Sequence, residues 1–108
     1  MTDRRVVITA CSAITPIGHG RDKIVESLLK GISGVKPLRE DELIGRFIHS
    51  RVYGTVSDPI VYDFKRQHRK TMGPVAYYAC QVAKEVLEQS GLSPEFVTGG
   101  RLGIAFGS

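Results

Sequence analysis

The sequence predicts an α/β fold built on a parallel sheet, and three observations lead to that expectation. Residues 4–9 (RRVVIT) contain three consecutive β-branched apolar side chains, which is typical of a strand buried on both faces of a sheet. Residues 101–108 (RLGIAFGS) predict a second buried strand. Two segments with helical periodicity lie between these strands, and helices in that position cover the faces of a parallel sheet.

The first predicted strand leads into a turn and then a short helix. Pro16 interrupts regular structure, and Gly18 and Gly20 permit the positive φ angles of a tight turn. Residues 22–30 have one apolar face, and Gly31 directly follows them, as glycine often does at a helix C-terminus. The sequence therefore predicts a helix over residues 22–30.

The middle of the chain is an irregular excursion. Residues 38–63 follow no single period, although residues 51–56 predict a short strand.

Residues 64–91 again have helical periodicity, with a wide apolar stripe that predicts heavy burial. Pro74 either begins this helix or kinks it, and Gly91 ends it. Ser93 and Pro94 then predict the N-cap and first position of a brief helix.

Composition excludes several classes of protein. The chain has 108 residues, 42% hydrophobic and 24% charged, which suits one compact domain rather than a disordered segment. No apolar run approaches the roughly 20 residues that span a bilayer. Arg4 and Arg5 precede a short apolar run as in a secretory signal, but that run breaks at Thr9. We expect a cytoplasmic protein without a membrane segment.

The cysteines and histidines do not form a pattern typical of a metal or nucleophile site. Cys11 and Cys80 lie far apart, which favours two reduced, buried thiols over a disulfide or zinc site. His19, His49 and His68 are widely spaced and share no acidic pattern. We therefore expect no metal, and catalysis by Cys11 is disfavoured by its apolar neighbours.

The turn at residues 15–20 (TPIGHG) lies between a strand and a helix, where phosphate cradles occur. It lacks both the Gly-Lys-Ser/Thr of a P-loop and the dinucleotide fingerprint. A structural turn is the better interpretation, and we expect no cofactor.

Positive charge is concentrated in one short stretch. The net charge is +4, from 15 Lys and Arg against 11 Asp and Glu, and residues 62–72 alone carry +3. The bases there are Lys65, Arg66, Arg69 and Lys70. Cations at a helix N-terminus oppose its dipole, which makes a purely structural role less natural. A partner-binding surface, a solvated face and a nucleic-acid site are the three interpretations, and the last lacks the usual broad basic face with aromatics.

The ordered set of motifs resembles the N-terminus of β-ketoacyl–acyl carrier protein synthases of the synthase I/II type. In that family a strand leads into a Thr-Pro-x-Gly turn and then a helix that ends in Leu-x-x-Gly-x-Ser-Gly. The matching segments are residues 4–9, 15–18 (TPIG), 29–34 (LKGISG), 69–73 (RKTMG), 83–92 and 101–108. Ala10 and Ser12 stand where the family usually has glycine, which leaves the subfamily open.

The resemblance implies a thiolase-like fold in which residues 1–108 form an incomplete N-terminal part, with two core strands and packing helices. It also implies a homodimer, or a heterodimer with a chain-length factor, and decarboxylative condensation of malonyl and acyl thioesters. The family's nucleophilic cysteine and two histidines lie beyond Ser108, so no catalytic residue is assigned to this chain. Lys65, Arg66, Arg69 and Lys70 correspond to part of a basic surface that docks the acidic acyl carrier protein.

Two alternatives remain open from the sequence. One is a non-catalytic, chain-length-factor-like subunit whose nucleophile is replaced. The other is a small basic binding module, which would fold alone and bind a polyanion with steep salt dependence.

Overall fold

A computed structural model describes residues 3–39, 47–57 and 64–107. This part of the chain is α/β, with α-helices and two separate two-stranded antiparallel sheets. The elements in chain order are β1 (Ile14–Thr15), β2 (Gly18–His19), α1 (Arg21–Leu29), β3 (Val35–Pro37), β4 (Val52–Gly54), α2 (Arg66–Arg69), α3 (Pro74–Ser90) and α4 (Pro94–Thr98). Parts of the predicted 38–63 excursion, namely residues 40–46 and 58–63, lie outside the described residues.

The predicted turn after residue 15 is confirmed as the connection of a small hairpin. In it Thr15 of β1 pairs with Gly18 of β2. The Thr15 hydroxyl donates to the carbonyl of Gly18 at 2.9 Å, and the backbone N–H of Ile17 donates to the same hydroxyl oxygen at 3.3 Å. Gly20 follows with φ of 78°, a conformation that glycine adopts without steric cost.

The predicted helix at residues 22–30 is confirmed as α1. Gly31, with φ of 65°, ends it, and its N–H donates to the carbonyl of Leu28 at 3.1 Å. Ser27 on α1 is only 2% exposed, and its hydroxyl donates to the carbonyl of Ile17 at 2.7 Å. This bond fixes α1 against the hairpin.

The short strand predicted within residues 51–56 is confirmed as β4, which pairs with β3 in the register Lys36 to Tyr53. The hairpin turn rests against this second sheet. A Cβ placed on Gly54 would lie 3.0 Å from the Cγ of Pro16. A side chain at this end of β4 would press against the proline ring.

The structure decides between the two interpretations of Pro74, which begins α3 and does not kink a longer helix. Residues 64–91 do not form one kinked helix, because the four-residue α2 ends before residue 70 and α3 begins at Pro74. Gly91 ends α3 in the left-handed conformation, with φ of 66°. The predicted cap of α4 is also confirmed, since the N–H of Phe96 donates to the hydroxyl of Ser93 at 3.2 Å.

The two predicted buried strands are wrong for the described residues. Residues 3–13 and 101–107 have no strand assigned, and Ser108 lies outside the described part. Val6 is 96% exposed and Ile8 is 90% exposed. A parallel strand takes its hydrogen bonds from neighbouring strands, and within the described residues nothing pairs with either segment.

The predicted burial of α3 and of both cysteines is also wrong. Within the described residues, α3 has no buried side chain and Val75 is 68% exposed. Cys11 and Cys80 are free, as predicted, but exposed. The radius of gyration is 18.1 Å, against about 13 Å for a compact domain of ~100 residues. The apolar stripe of α3 is therefore half-buried over most of its length and is fully buried nowhere within the described residues.

None of the helices in the described ranges is long and apolar enough to cross a membrane.

Candidate functional site

The four bases predicted to bind a partner lie on and beside α2. We call Lys65, Arg66, Arg69 and Lys70 the basic cluster. Lys65 is the N-cap residue, and its carbonyl accepts from the N–H of His68 at 2.9 Å and from that of Arg69 at 3.3 Å. This single turn sets the directions in which the four cationic side chains leave the backbone.

The structure brings three members of the basic cluster around one depression. Lys65, Arg66 and Lys70, together with Gln67, line an open depression of about 480 Å³. Arg66 and Lys70 are four residues apart and therefore lie on the same side of the turn. Arg69 belongs to the same turn but is not among the described residues that line the depression.

The basic cluster concentrates positive charge on an exposed surface. All four side chains are exposed. Among the residues that the structure describes, none forms an ion pair with them. Four exposed like charges raise the local positive potential, which attracts an acidic partner and speeds its encounter. The geometry thus suits docking of an anionic surface and contains no group placed for bond-breaking chemistry.

A second polar cluster was missed by the sequence reasoning. Ser12, His19, Gln81 and Glu85, here called the Glu85 cluster, meet at one carboxylate. The Ser12 hydroxyl donates to Oε2 of Glu85, and Nε2 of His19 lies 2.5 Å from Oε1. Gln81 donates to the same Oε1 at 2.6 Å. Only the four-residue spacing of Gln81 and Glu85 was readable from the sequence, because Ser12 and His19 are 73 and 66 residues away from Glu85.

Glu85 is ionised more readily than an ordinary glutamate. Partial burial, the largest influence, works against the charged carboxylate. The hydrogen bonds from Ser12, Gln81 and His19 together outweigh it and hold the pKa of Glu85 below its ordinary value of 4.5. The carboxylate is therefore an acceptor for three side chains at neutral pH.

The Glu85 cluster contains the residue types of a hydrolytic triad but not the order of contacts. A nucleophilic serine needs histidine as its base, with the carboxylate behind the histidine. Here Ser12 and His19 both bond to Glu85, so the serine proton faces a carboxylate with a lowered pKa, which is a weak base. The arrangement holds elements together and does not activate a nucleophile.

The described residues also contain an apolar groove and no metal site. Val75, Ala79 and Cys80 of α3 face Phe106 across an open groove of about 590 Å³. No group of three His, Cys, Asp or Glu side chains in the described ranges could hold a metal ion.

Comparison with known proteins decides the family. Residues 3–108 match the model of the β-ketoacyl synthase N-terminal domain. This chain belongs to the β-ketoacyl synthase family. The resemblance drawn from the order of its motifs is confirmed.

Curated β-ketoacyl synthases match over nearly the whole chain. The 3-oxoacyl-[acyl-carrier-protein] synthase 1 of Haemophilus influenzae is 30% identical over 97% of this chain and 25% of its own length. The synthases 2 of Coxiella burnetii and Vibrio cholerae are 32% and 30% identical, each over 100% of this chain and 26% of their own length. The chain spans about a quarter of the length of these relatives. None of the solved structures matches it.

Proposed function

We propose that this chain is part of a 3-oxoacyl-[acyl-carrier-protein] synthase. The observation that carries the proposal is the match of residues 3–108 to the β-ketoacyl synthase N-terminal domain. The curated relatives that share 30% or more of their aligned residues with it are named as synthases of this type. The whole protein would then adopt a thiolase-like fold, of which residues 1–108 form an incomplete N-terminal part.

The proposed reaction is a decarboxylative condensation. A cysteine thiolate takes an acyl group from a carrier thioester and releases the carrier thiol. The malonyl thioester then loses CO₂, and the carbanion equivalent attacks the acyl–cysteine thioester to give a 3-oxoacyl thioester and the free cysteine. Backbone donors stabilise the oxyanion. We place the nucleophile and the two histidines beyond Ser108 and assign no catalytic residue to the described residues.

The basic cluster is proposed to dock the acidic acyl carrier protein. The exposure of the basic cluster and its lack of ion pairs among the described residues support this role. The relatives also carry the acyl carrier protein in their name, 3-oxoacyl-[acyl-carrier-protein] synthase. Opposite charges across an interface raise the association rate and set orientation more than they raise affinity. Lys65, Arg66 and Lys70 line one depression, so a single acidic surface would contact all three together.

The protein is further proposed to be cytoplasmic and dimeric, either with a second copy of itself or with a chain-length-factor subunit. The exposed apolar side chains of residues 6–8 and of Val75 on α3 support further packing partners, because large uncovered apolar surfaces are unusual in soluble proteins. The same exposure counts against a free-standing basic module, which would need its own buried core.

The condensation itself is the first test. The full-length synthase that contains this chain is incubated with an acyl carrier thioester and radiolabelled malonyl carrier, and 3-oxoacyl product and CO₂ are measured. Equimolar release of both supports the proposal. A folded protein that yields neither product, alone or with a partner synthase, contradicts it. Product that appears only with the partner indicates a non-catalytic subunit.

Docking is tested separately by charge reversal. Arg66→Glu is expected to lower the affinity for acyl carrier protein about tenfold, which corresponds to about 1.4 kcal/mol. Lys36→Glu is the matched control, since Lys36 is an exposed base on β3 outside the basic cluster. Binding is measured by calorimetry at two salt concentrations. Equal losses in both variants would show general attraction rather than docking at the basic cluster.

A further inference from the structure

The Glu85 cluster joins parts of the chain that are distant in sequence. Ser12 precedes β1, His19 lies on β2, and Glu85 lies in the second half of α3. The side chains of Ser12 and His19 both form hydrogen bonds with the carboxylate of Glu85. The position of the hairpin on α3 therefore depends on the charge and bonding of Glu85.

The contact between His19 and Glu85 is open to proton exchange with water. Their side chains are 31% and 20% exposed, respectively. His19 also lines an open depression of about 590 Å³, together with Gly20, Arg21, Asp22, Lys23 and Gln89.

The charged groups around His19 differ in sign. Asp22 and Glu85 are acidic, whereas Arg21 and Lys23 are basic. Glu85 is the one of these four with a hydrogen bond to the ring, so its charge acts at the shortest distance.

The strength of the bond depends on the state of the imidazole. A neutral histidine donates from Nε2 in only one tautomer. A protonated histidine donates from both nitrogens and forms a charge-assisted hydrogen bond, roughly twice as strong as a neutral one. Ser12 and Gln81 donate to Glu85 in either case, so they retain the carboxylate in position while His19 changes state.

We propose that the Glu85 cluster is a pH-sensitive clamp, in which ionised Glu85 holds the β1–β2 hairpin on α3 and protonation of His19 tightens the hold. None of its residues belongs to the basic cluster, so the clamp is tested separately from carrier docking.

A double-mutant cycle tests the clamp. The free energy of unfolding is measured for the protein, His19→Gln, Glu85→Gln and the double variant at about pH 5.5 and about pH 8, on either side of the histidine range. The coupling between the two positions should correspond to an equilibrium factor about threefold larger at the lower pH. His49→Gln is the control, because His49 is exposed and lies outside the Glu85 cluster. Coupling that is zero, or equal at both pH values, overturns the proposal.

Hydrogen exchange gives a test that needs no variant. The N–H of Gly20 donates to the carbonyl of Ala13 at 2.9 Å and reports on the hairpin. The N–H of Val97 donates to the carbonyl of Ser93 at 3.1 Å and reports on α4. After correction for intrinsic exchange, protection of Gly20 relative to Val97 should rise about threefold from pH 8 to pH 5.5. A constant ratio overturns the clamp even if the variants fail to fold.

Discussion

Pro16 lies so close to Gly34 that a Cβ on the glycine would be 2.6 Å from the Cβ of the proline. This contact joins the turn of the β1–β2 hairpin to the residue that precedes β3. It therefore connects two sheets that share no strand pairing. The hairpin is held on its other side by Ser27 of α1 and at its base by Glu85 of α3.

Gly34→Ala is expected to destabilise the protein by about 1–3 kcal/mol, because the added methyl group overlaps the proline ring and the backbone carbon of Pro16. Gly103→Ala is the control, since a Cβ there meets nothing within 4 Å. The measurement is denaturant unfolding of both variants. Equal stability of the two would contradict the close packing at Pro16.

Ser27→Ala should cost about 1 kcal/mol of folding stability. The substitution removes the donor to the carbonyl of Ile17 at a position that is 2% exposed, so water replaces the lost bond poorly. Ser57→Ala, at an exposed serine, should change the unfolding free energy by less than about 0.5 kcal/mol. A loss at position 57 as large as that at position 27 would disprove the role of this bond.

Glu85 makes the fold sensitive to acid. Its pKa lies below the ordinary 4.5, so its contribution to stability is present above that value and is lost as pH falls through the lower, folded-state value. Glu85→Gln should therefore flatten the decline in melting temperature between about pH 5 and pH 3.

Glu26→Gln is the matched control for that acid dependence. The hydrogen bond from Lys30 is the main reason that the pKa of Glu26 is also lowered, but Glu26 is exposed and its ion pairs are screened by salt. In high salt we expect Glu26→Gln to follow the acid profile of the unmodified protein while Glu85→Gln departs from it. Superimposable profiles for all three proteins would contradict the prediction.

Gly91→Ala should destabilise the end of α3 by about 1 kcal/mol. Gly91 has φ of 66°, and a Cβ in the left-handed region is strained even though no atom lies within 4 Å of it. Helical circular dichroism and thermal unfolding measure the loss. Gly91→Asn serves as the second variant, because asparagine tolerates this conformation and should recover part of the stability. Alanine and asparagine variants of equal stability would refute the assignment.

The sequence predicted those features that depend on a few neighbouring residues. Gly91 after the end of α3 and Ser93 as the cap of α4 lie where the pattern placed them, and Pro74 at the first position of α3 matches one of its two interpretations. Each is decided by the conformational preference of one backbone position or by one local hydrogen bond. The order of such local features along the chain was also sufficient to indicate the β-ketoacyl synthase family.

Contacts between distant residues could not be predicted in the same way. No spacing indicated that Ser12 and His19 share the carboxylate of Glu85, because side chains that are 66 and 73 residues apart in sequence meet only after the chain folds. The basic cluster was visible as a run of charge, but the tertiary structure alone shows that Lys65, Arg66 and Lys70 line one depression without Arg69.

By itself, then, the sequence determined the end of α3, the cap of α4, the Thr-Pro-Ile-Gly turn and the family, since these follow from local backbone chemistry and motif order. The tertiary structure decided which apolar segments are covered. Residues 6–8 have the composition of a buried strand and yet lie exposed, and the stripe on α3 leaves Cys80 open to solvent. Apolar side chains are more stable when they are removed from water. A segment is buried or paired as a strand, however, only where other residues of the fold pack against it or form hydrogen bonds with it.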